Sequence, residues 1–465
     1  MWYHTLAHFL LSGGESLDDA ELLVQYGVSD LDAVRTAQEK QFLTLPKLSK
    51  LYTLIELPVS QIITQMHEVG IHIDRARLDE VQVQLTQTRT DLSAKIKKTL
   101  GEVNLNSPKQ LGDALVTTLK VTLPKTKTGQ WSTGVDVLTP LAPQHELIRD
   151  ILEFRAVDKI LGTYVEPIHT FIAEDGRIHP TYIQTAAATG RLACKDPNIQ
   201  STPILGEYGA MVRSYYTAPP GSLLIGCDYS QQELRILAHV SGDAKLHEAF
   251  AKGIDVHVVT ASEILGIPLD QVDKAARTIG KTLNFGIVYG ETAFGLTRQL
   301  NKSPAECSEI LKKYFETYSG VKQYFDNLLT GAKIHGKVET MYGRMRGIPG
   351  LSLGTPAKFL KGEQERILKN FPIQGSAADM TKAAMVKVTR DVLPQYPQAR
   401  LIMQIHDELI FEYTPSSVIP PRRDLVPPEV YAFQKAVVES MQNAVKLSVP
   451  VVVESSIGTN WSMLK

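Results

Sequence analysis

A chain of 465 residues is too long for one compact core and fits two to four subdomains. Its 49 basic and 50 acidic residues give a net charge of −1, which excludes a uniformly basic nucleic-acid binder but leaves room for a basic groove, because phosphate contacts are local. The widely spaced Cys194, Cys227 and Cys307 exclude a disulfide framework or a thiolate metal cluster and point to a reducing compartment.

The N-terminus, residues 1–12, has an apolar patch but no basic start, and His4 and His8 interrupt it, so it makes a poor signal peptide. No apolar run approaches a membrane span, so a soluble, intracellular protein is expected. Residues 1–44 read as short helices with acidic surface positions at Glu15, Asp18, Asp19 and Glu21. From Leu45 to about Thr181 the pattern is mostly helical. A long amphipathic stretch from Leu78 to Leu100 ends in Lys95, Lys97 and Lys98, and a turn around Asn104 and Asn106 follows. A Thr/Gly loop then carries Lys120, Lys125 and Lys127, although any solvated helix pair shows such lysines. Gly190 and Pro197 mark turns within 185–200.

Residues 223–227 form an apolar run that reads as a buried strand, with Asp228 at its end, where a carboxylate can project into a cleft. Glu233 follows in a turn or first helical turn, a place the helix dipole favours for an acid. Residues 272–290 read as a helix with Arg277, Lys281, Phe285 and Tyr289 at spacing four on one slowly drifting face. Two cations give way to two aromatics over about 18 Å, at 1.5 Å per residue. A nucleoside triphosphate has that layout, with phosphates for the cations and sugar and base for the rings. On spacing alone, a surface helix with solvated cations and core aromatics fits as well. Gly280 inside this helix costs about 1 kcal/mol relative to alanine, and close packing against a neighbour would explain it.

Residues 303–334 read as helices. Residues 401–411 read as two apolar strands with His406, Asp407 and Glu408 in the tight turn between them. Two adjacent acids at the tip of a buried hairpin are costly unless a cation or solvent compensates, and that cost argues for a metal site. The segment 413–428, with five prolines and with Arg422 and Arg423, reads as a surface insertion. Residues 449–453 read as a strand.

The runs 228–235, 272–290 and 406–408, in that order, resemble motifs A, B and C of the polymerase domain of the family A (DNA polymerase I-like) DNA polymerases. The resemblance extends from about residue 45 to the C-terminus. It implies an α+β, multidomain, right-hand polymerase fold with an antiparallel-sheet palm, helical fingers and a helical thumb. The implied parts are an inactive exonuclease-like remnant at 1–44, the palm start and thumb at 45–180, and the palm with motif A at 181–232. Fingers carrying the 272–290 helix follow at 233–400, then the palm with motif C and the insertion 413–428 at 401–465. About 44 residues cannot build the carboxylate-bearing sheet of a two-metal exonuclease, so neither 3′→5′ proofreading nor 5′ nuclease activity is expected. Either the natural chain lacks that domain or this sequence begins late.

Residue by residue, the resemblance implies that Asp228 and Asp407 hold two Mg²⁺ ions, Mn²⁺ being an alternative, with the Tyr229 carbonyl assisting and Glu408 in support. Oxygen ligands and a phosphate substrate favour Mg²⁺ over softer metals. One ion would activate the primer 3′-hydroxyl and the other would bind the triphosphate and stabilise leaving pyrophosphate. Arg277, Lys281 and His257 would neutralise phosphate charge, and Lys281 would also protonate pyrophosphate. Gln231 joins the nucleotide site, and Glu233 is the steric gate that occupies the space a ribose 2′-hydroxyl needs. Phe285 would pack on sugar and base, and Tyr289 would lie by the template base. Phe rather than Tyr at position 285 goes with discrimination against dideoxynucleotides.

The implied DNA contacts are Arg191, Asn198, Gln200, Asn370, Gln374, Gln404 and His406, with Asn104, Asn106 and Lys127 in the thumb and Arg366 as a weaker candidate. Two positions depart from the family. The segment 201–203 replaces the usual Asn-Ile-Pro and puts one amide contact in doubt. Gln232 stands where most relatives are aliphatic, and its longer polar side chain is expected to loosen packing around the nascent pair and lower fidelity.

The expected activity is template-directed 5′→3′ DNA synthesis by a monomer whose partners are primer–template DNA and deoxynucleoside triphosphates. Its expected place is the cytoplasm, nucleoid-associated, or the same compartment as a virus- or plasmid-encoded enzyme. A single-subunit RNA polymerase shares the two aspartates and the Lys/Tyr helix but generally lacks the acids at 233 and 408. A catalytically inactive DNA-binding protein would not keep competent residues at every catalytic position, and a metal nuclease gives no reason for the nucleotide-shaped helix.

Overall fold

In the computed structural model of the chain, which describes residues 3–204, 206–416 and 426–464, the backbone divides into two units. The first comprises Met1–Val69, Thr181–Lys195 and Ile225–Ser456, and the second Gly70–Pro180, Asp196–Leu224 and Ile457–Lys465.

The first unit holds most of a four-stranded sheet in which the strands Val453–Gly458, Leu223–Tyr229, Glu408–Tyr413 and Ala399–Ile405 lie side by side in that order. The last two form an antiparallel hairpin in which Ile405 pairs with Glu408 and Leu401 with Phe411. Both are buried along almost their whole length, as continuous apolar runs demand. The strand expected at 449–453 instead begins at Val453. Pro450 has no N–H to give a ladder, and the carbonyls of Pro450 and Val452 are taken by Arg235 Nη1 at 2.6 Å and the Ser230 N–H at 2.9 Å.

The helix Leu57–Val69 packs on the Ala399–Ile405 strand, and further helices fill the unit. The longest, Gly362–Asp391, carries Pro372 in its interior, which removes one backbone bond, and its buried face runs from Leu368 to Val388. The helix Gln232–Ser241 packs on it. The helix Lys274–Val288, capped by Asp273 accepting from the Ala276 N–H at 2.7 Å, packs on Val256–Leu265. A Cβ at Gly280 would lie 2.1 Å from the His257 carbonyl oxygen, so the close approach of these two helices is what requires glycine there. The N-terminal helices His4–Ser12, Asp19–Tyr26 and Leu31–Leu43 belong to this unit and are tied in by the Arg346 guanidinium donating to the Gly13 carbonyl at 3.3 Å.

Four charged side chains are buried together inside the first unit: Glu56, Arg344, Asp379 and Lys382. Glu56 ends a π-helical turn, Tyr52–Glu56, and accepts from Lys382 Nζ at 2.8 and 2.9 Å, from Arg344 Nη2, and from Gln184 Nε2 at 2.6 Å. Arg344 also donates to Asp379 at 2.7 and 3.0 Å. Burial pushes the Glu56 carboxyl up, and the Lys382 and Arg344 charges more than reverse it, to about 2.

The second unit is helical, with a small ladder pairing Ile71–His72 with Arg177–Ile178. Its long helix Arg75–Leu100 is capped by Asp74 accepting from the Arg77 N–H. Ile96 joins Leu111, Leu115, Ile148 and Ile151 in a separate apolar core. Among the described residues no helix is long and apolar enough to cross a membrane. Most of the proline-rich segment 413–428, namely 417–425, lies outside the described residues.

Candidate active site

Two carboxylates mark the site. Asp228 is the one partly exposed residue of the Leu223–Tyr229 strand, and Asp407 sits partly exposed in the two-residue turn between the hairpin strands. The strands bring them together, because the Tyr229 N–H donates to the Asp407 carbonyl at 3.4 Å. Glu408 is the first residue of its strand rather than part of the turn and is 1% exposed. Burial pushes the Cys227 thiol up, and the Glu408 and Asp228 carboxylates add to it, so all three groups share one electrostatic neighbourhood. Tyr229 is anchored by its hydroxyl donating to the Met441 carbonyl at 2.7 Å.

The backbone beside both aspartates is held in an uncommon form. His406 and Gln231 have φ of 56° and 53°, left-handed values that cost non-glycine residues about 1–3 kcal/mol each and persist where the surroundings enforce them. Gln404 helps at the first position by donating from Nε2 to the His406 carbonyl, and its own backbone is held by Tyr182. The side chain of His406 is exposed. Gln231 Oε1 is buried with no hydrogen-bond partner among the described residues.

The row of four on Lys274–Val288 is present, with Tyr289 capping the helix. Arg277 donates from Nε to Asp255 at 2.7 Å, and Asp255 also caps the next helix by accepting from the His257 N–H at 2.8 Å. Lys281 is exposed, its ammonium 5.9 Å from the Phe285 ring centroid. The Phe285 ring lies 5.7 Å from His257 and 6.4 Å from Tyr289. Burial lowers the His257 imidazole to about 4, with Asp255 opposing and the Arg277 and Lys281 charges adding to it. Tyr289 links this helix to the carboxylates: burial pushes its phenol up, Glu233 and Asp407 add to that, and Arg191 opposes.

Glu233, in the first turn of Gln232–Ser241, is 9% exposed and accepts from Arg191 Nη2 at 2.7 Å. Burial pushes its carboxyl up and the guanidinium pulls part of that back. Thus Arg191, predicted as a DNA contact, holds the predicted gate in this structure. Gln232 is buried and donates from Nε2 to Thr381 Oγ1 at 3.1 Å and to the Ala377 carbonyl at 3.3 Å. The polar side chain therefore ties this helix to Gly362–Asp391 instead of loosening the packing, and the expected cause of lowered fidelity is absent. On the long helix, Asn370 Nδ2 donates to the Val288 carbonyl at 3.2 Å, Gln374 is half-buried, and Arg366 is exposed with its backbone against Gly290.

The remaining predicted contacts belong to the second unit. Asn104 and Asn106 are exposed, with Asn104 Oδ1 accepting from the Asn106 N–H at 3.0 Å and Asn106 Nδ2 donating to Asp158 at 3.2 Å. Lys127 is exposed in its turn, Asn198 is exposed, and Gln200 is half-buried in the turn Ile199–Ser201.

Sequence reasoning missed Asn284 and the Arg191–Glu233 pair. Asn284 is fully buried beside His257. A polar residue on the core side of an otherwise apolar helix face was the only signal it offered. Among the described residues no group of three or more His, Cys, Asp or Glu side chains closes a metal cage. The oxygen donors at this place are the Asp228 and Asp407 carboxylates and the Tyr229 carbonyl, a hard set of the kind that divalent Mg²⁺ or Ca²⁺ prefers over softer metals.

Comparison with known proteins bears on this arrangement. The family described as DNA polymerase family A matches residues 75–463. A DNA polymerase I of Caldicellulosiruptor bescii is 37% identical over 476 residues, covering 98% of this chain and 54% of that protein. A DNA polymerase I of Deinococcus radiodurans is 40% identical over 418 residues, covering 89% of this chain and 42% of that protein. The chain thus spans about half the length of the curated relatives it matches. Among solved structures, the POL domain of Pol1 from M. smegmatis, in complex with DNA primer-template and dNTP, superposes with a TM-score of 0.88 at 32% identity, covering 99% of this chain and 82% of that one.

Proposed function

The chain belongs to DNA polymerase family A and has that family's α+β polymerase-domain fold, and on this premise we propose that it extends a DNA primer on a DNA template with deoxynucleoside triphosphates. The observation that carries this reading is the meeting, within one unit, of two sheet-borne carboxylates with a cation-to-aromatic helix face. The two parts converge at Tyr289, whose phenol feels both Asp407 and Glu233. The DNA and dNTP bound to the M. smegmatis Pol1 domain are the partners proposed here.

Asp228, Asp407 and the Tyr229 carbonyl would hold divalent cations, Mg²⁺ by the hardness of the donors, with Glu408 buried behind them. When bound, such cations supply activation of the primer 3′-hydroxyl and charge neutralisation on pyrophosphate. The chain's own side chains do the rest. Arg277, with its Nε fixed by Asp255, keeps its two η nitrogens for phosphate oxygens, and Lys281 adds a point charge and a proton for the leaving group. Phe285, set between His257 and Tyr289, gives the sugar and base a surface to pack on. Glu233, fixed by Arg191, fills the space beside the sugar C2′. Residues 1–44 enter this reading only as packing, since the described part forms three helices.

Extension of a labelled primer on a DNA template with four deoxynucleotides and Mg²⁺ tests the proposal. Wild-type protein is expected to extend the primer. Asp407→Asn is expected to bind the same DNA but lose roughly two to three orders of magnitude in rate, as several kcal/mol of charge stabilisation implies. Equal rates for the two proteins would overturn the assignment.

A further inference from the structure

Asn284 sits one residue before Phe285 on the same helix, and its side chain turns inward, into a fully buried polar knot with Thr260, Tyr314 and Tyr318. Its Oδ1 accepts from the Tyr314 hydroxyl at 3.2 Å and lies 3.0 Å from Thr260 Oγ1, which is itself 2.8 Å from both the Val256 carbonyl and the Tyr318 hydroxyl. Its Nδ2 lies 3.4 Å from the Val256 carbonyl and 3.1 Å from His257 Nδ1. A carbonyl accepts and cannot donate, so the Val256 oxygen favours the amide nitrogen over its oxygen on this side, and the same nitrogen then meets the imidazole. His257 Nδ1 is then an acceptor with no proton of its own. In the neutral ring the proton stands on Nε2, to which no described residue bonds.

We propose that Asn284 is a positioning residue for the nucleotide site: it locks His257 in the Nε2–H tautomer, so that a neutral ring can still donate a hydrogen bond to a triphosphate oxygen. The inference rests on the reading of His257 as a phosphate contact. It adds the reason the contact works at neutral pH. A neutral His257 in the other tautomer would turn a lone pair toward the anion and repel it. Tyr314 and Thr260 hold the amide, Tyr318 holds Thr260, and the His257 ring is braced 5.7 Å from Phe285, so one buried network sets both ring orientation and proton position.

The test is the ¹⁵N spectrum of histidine-labelled full chain at pH 8, with His257 assigned by the signal missing from His257→Gln, read beside steady-state kinetics. Wild type is expected to show a proton on Nε2 and none on Nδ1. The Asn284→Asp variant keeps the shape but offers only an acceptor, so the proton is expected to move to Nδ1 or to occupy both nitrogens. KM for deoxynucleotide is expected to rise in that variant by roughly tenfold or more, with kcat changed far less, as expected for loss of a hydrogen bond to a charged group. In a His257→Ala background, Asn284→Asp should add little to KM. A penalty that persists there would show that the new carboxylate merely repels the triphosphate and would overturn the proposal, as would an Nδ1 proton in wild type. If His257→Ala alone leaves KM unchanged, the phosphate role of His257 is what fails, while the tautomer spectrum still decides whether Asn284 sets the ring. Thr260→Val, which removes a hydroxyl partner of the amide, is expected to mix the two tautomers without adding charge, and an unchanged Nε2–H spectrum in it would show that the network does not set the proton.

Discussion

At the scale of single residues, the site is governed by where charge is allowed to sit. His257 is a base held down to about 4 by burial, with Arg277 and Lys281 adding to it against Asp255. The folded chain therefore carries this ring neutral, whereas the unfolded chain protonates it below about 6.5. The sign follows from linkage: stability from keeping the ring neutral is complete above about pH 6.5 and is lost as the pH falls toward about 4. The melting temperature should drop over that window, and His257→Gln, which cannot titrate, should drop less. Parallel profiles for the two proteins would refute the assignment. The sequence made Asp228, Asp407, Glu233 and the 277–289 row readable because motif spacing and strand-end acids are local patterns. Asn284 escaped because its role depends on partners from three other stretches of chain, residues 256–260, 314 and 318, which folding alone brings together.

At the scale of elements, the distance between two helices sets the site. Lys274–Val288 approaches Val256–Leu265 so closely at Gly280 that a methyl would strike the His257 carbonyl oxygen. Gly280→Ala should separate the helices, costing about 1–3 kcal/mol of stability by overpacking, and should raise KM for the nucleotide as His257 leaves its place beside Phe285. Thermal unfolding and nucleotide titration check this, and an unchanged melting temperature would contradict it. Periodicity foretold this helix and the hairpin well, since both are long and strongly patterned. It misplaced the final strand, because Val449–Val453 is apolar throughout yet Pro450 cannot join a ladder, and Arg235 claims the Pro450 carbonyl.

At the scale of the whole molecule, distant parts of the sequence are joined by buried charge. Glu56 from the first 69 residues meets Arg344 from a hairpin and Lys382 and Asp379 from the long helix, all at 2% exposure or less. Breaking a buried ion network by removing one partner costs about 3–5 kcal/mol, because the remaining charges lose their compensation. Glu56→Gln should therefore lower the melting temperature markedly, and a surface control such as Glu39→Gln should not; equal effects would show the network to be incidental. Nothing in the sequence announced this cluster, since its bonded pairs span 35 to 326 residues of chain and each member alone looks like an ordinary surface charge. The fold itself was legible, because the three motif blocks and their order carry a topology. The packing that steadies it was not.

The measurement that bears most directly on the account is kcat/KM for a single deoxynucleotide and for the matching ribonucleotide on one primer–template, with wild type and Glu233→Ala side by side. Wild type is expected to insert the deoxynucleotide and reject the ribonucleotide, and the variant to relax this preference by at least about tenfold, or about 1.4 kcal/mol. Equal use of both nucleotides by wild type, or insertion of neither, would contradict it.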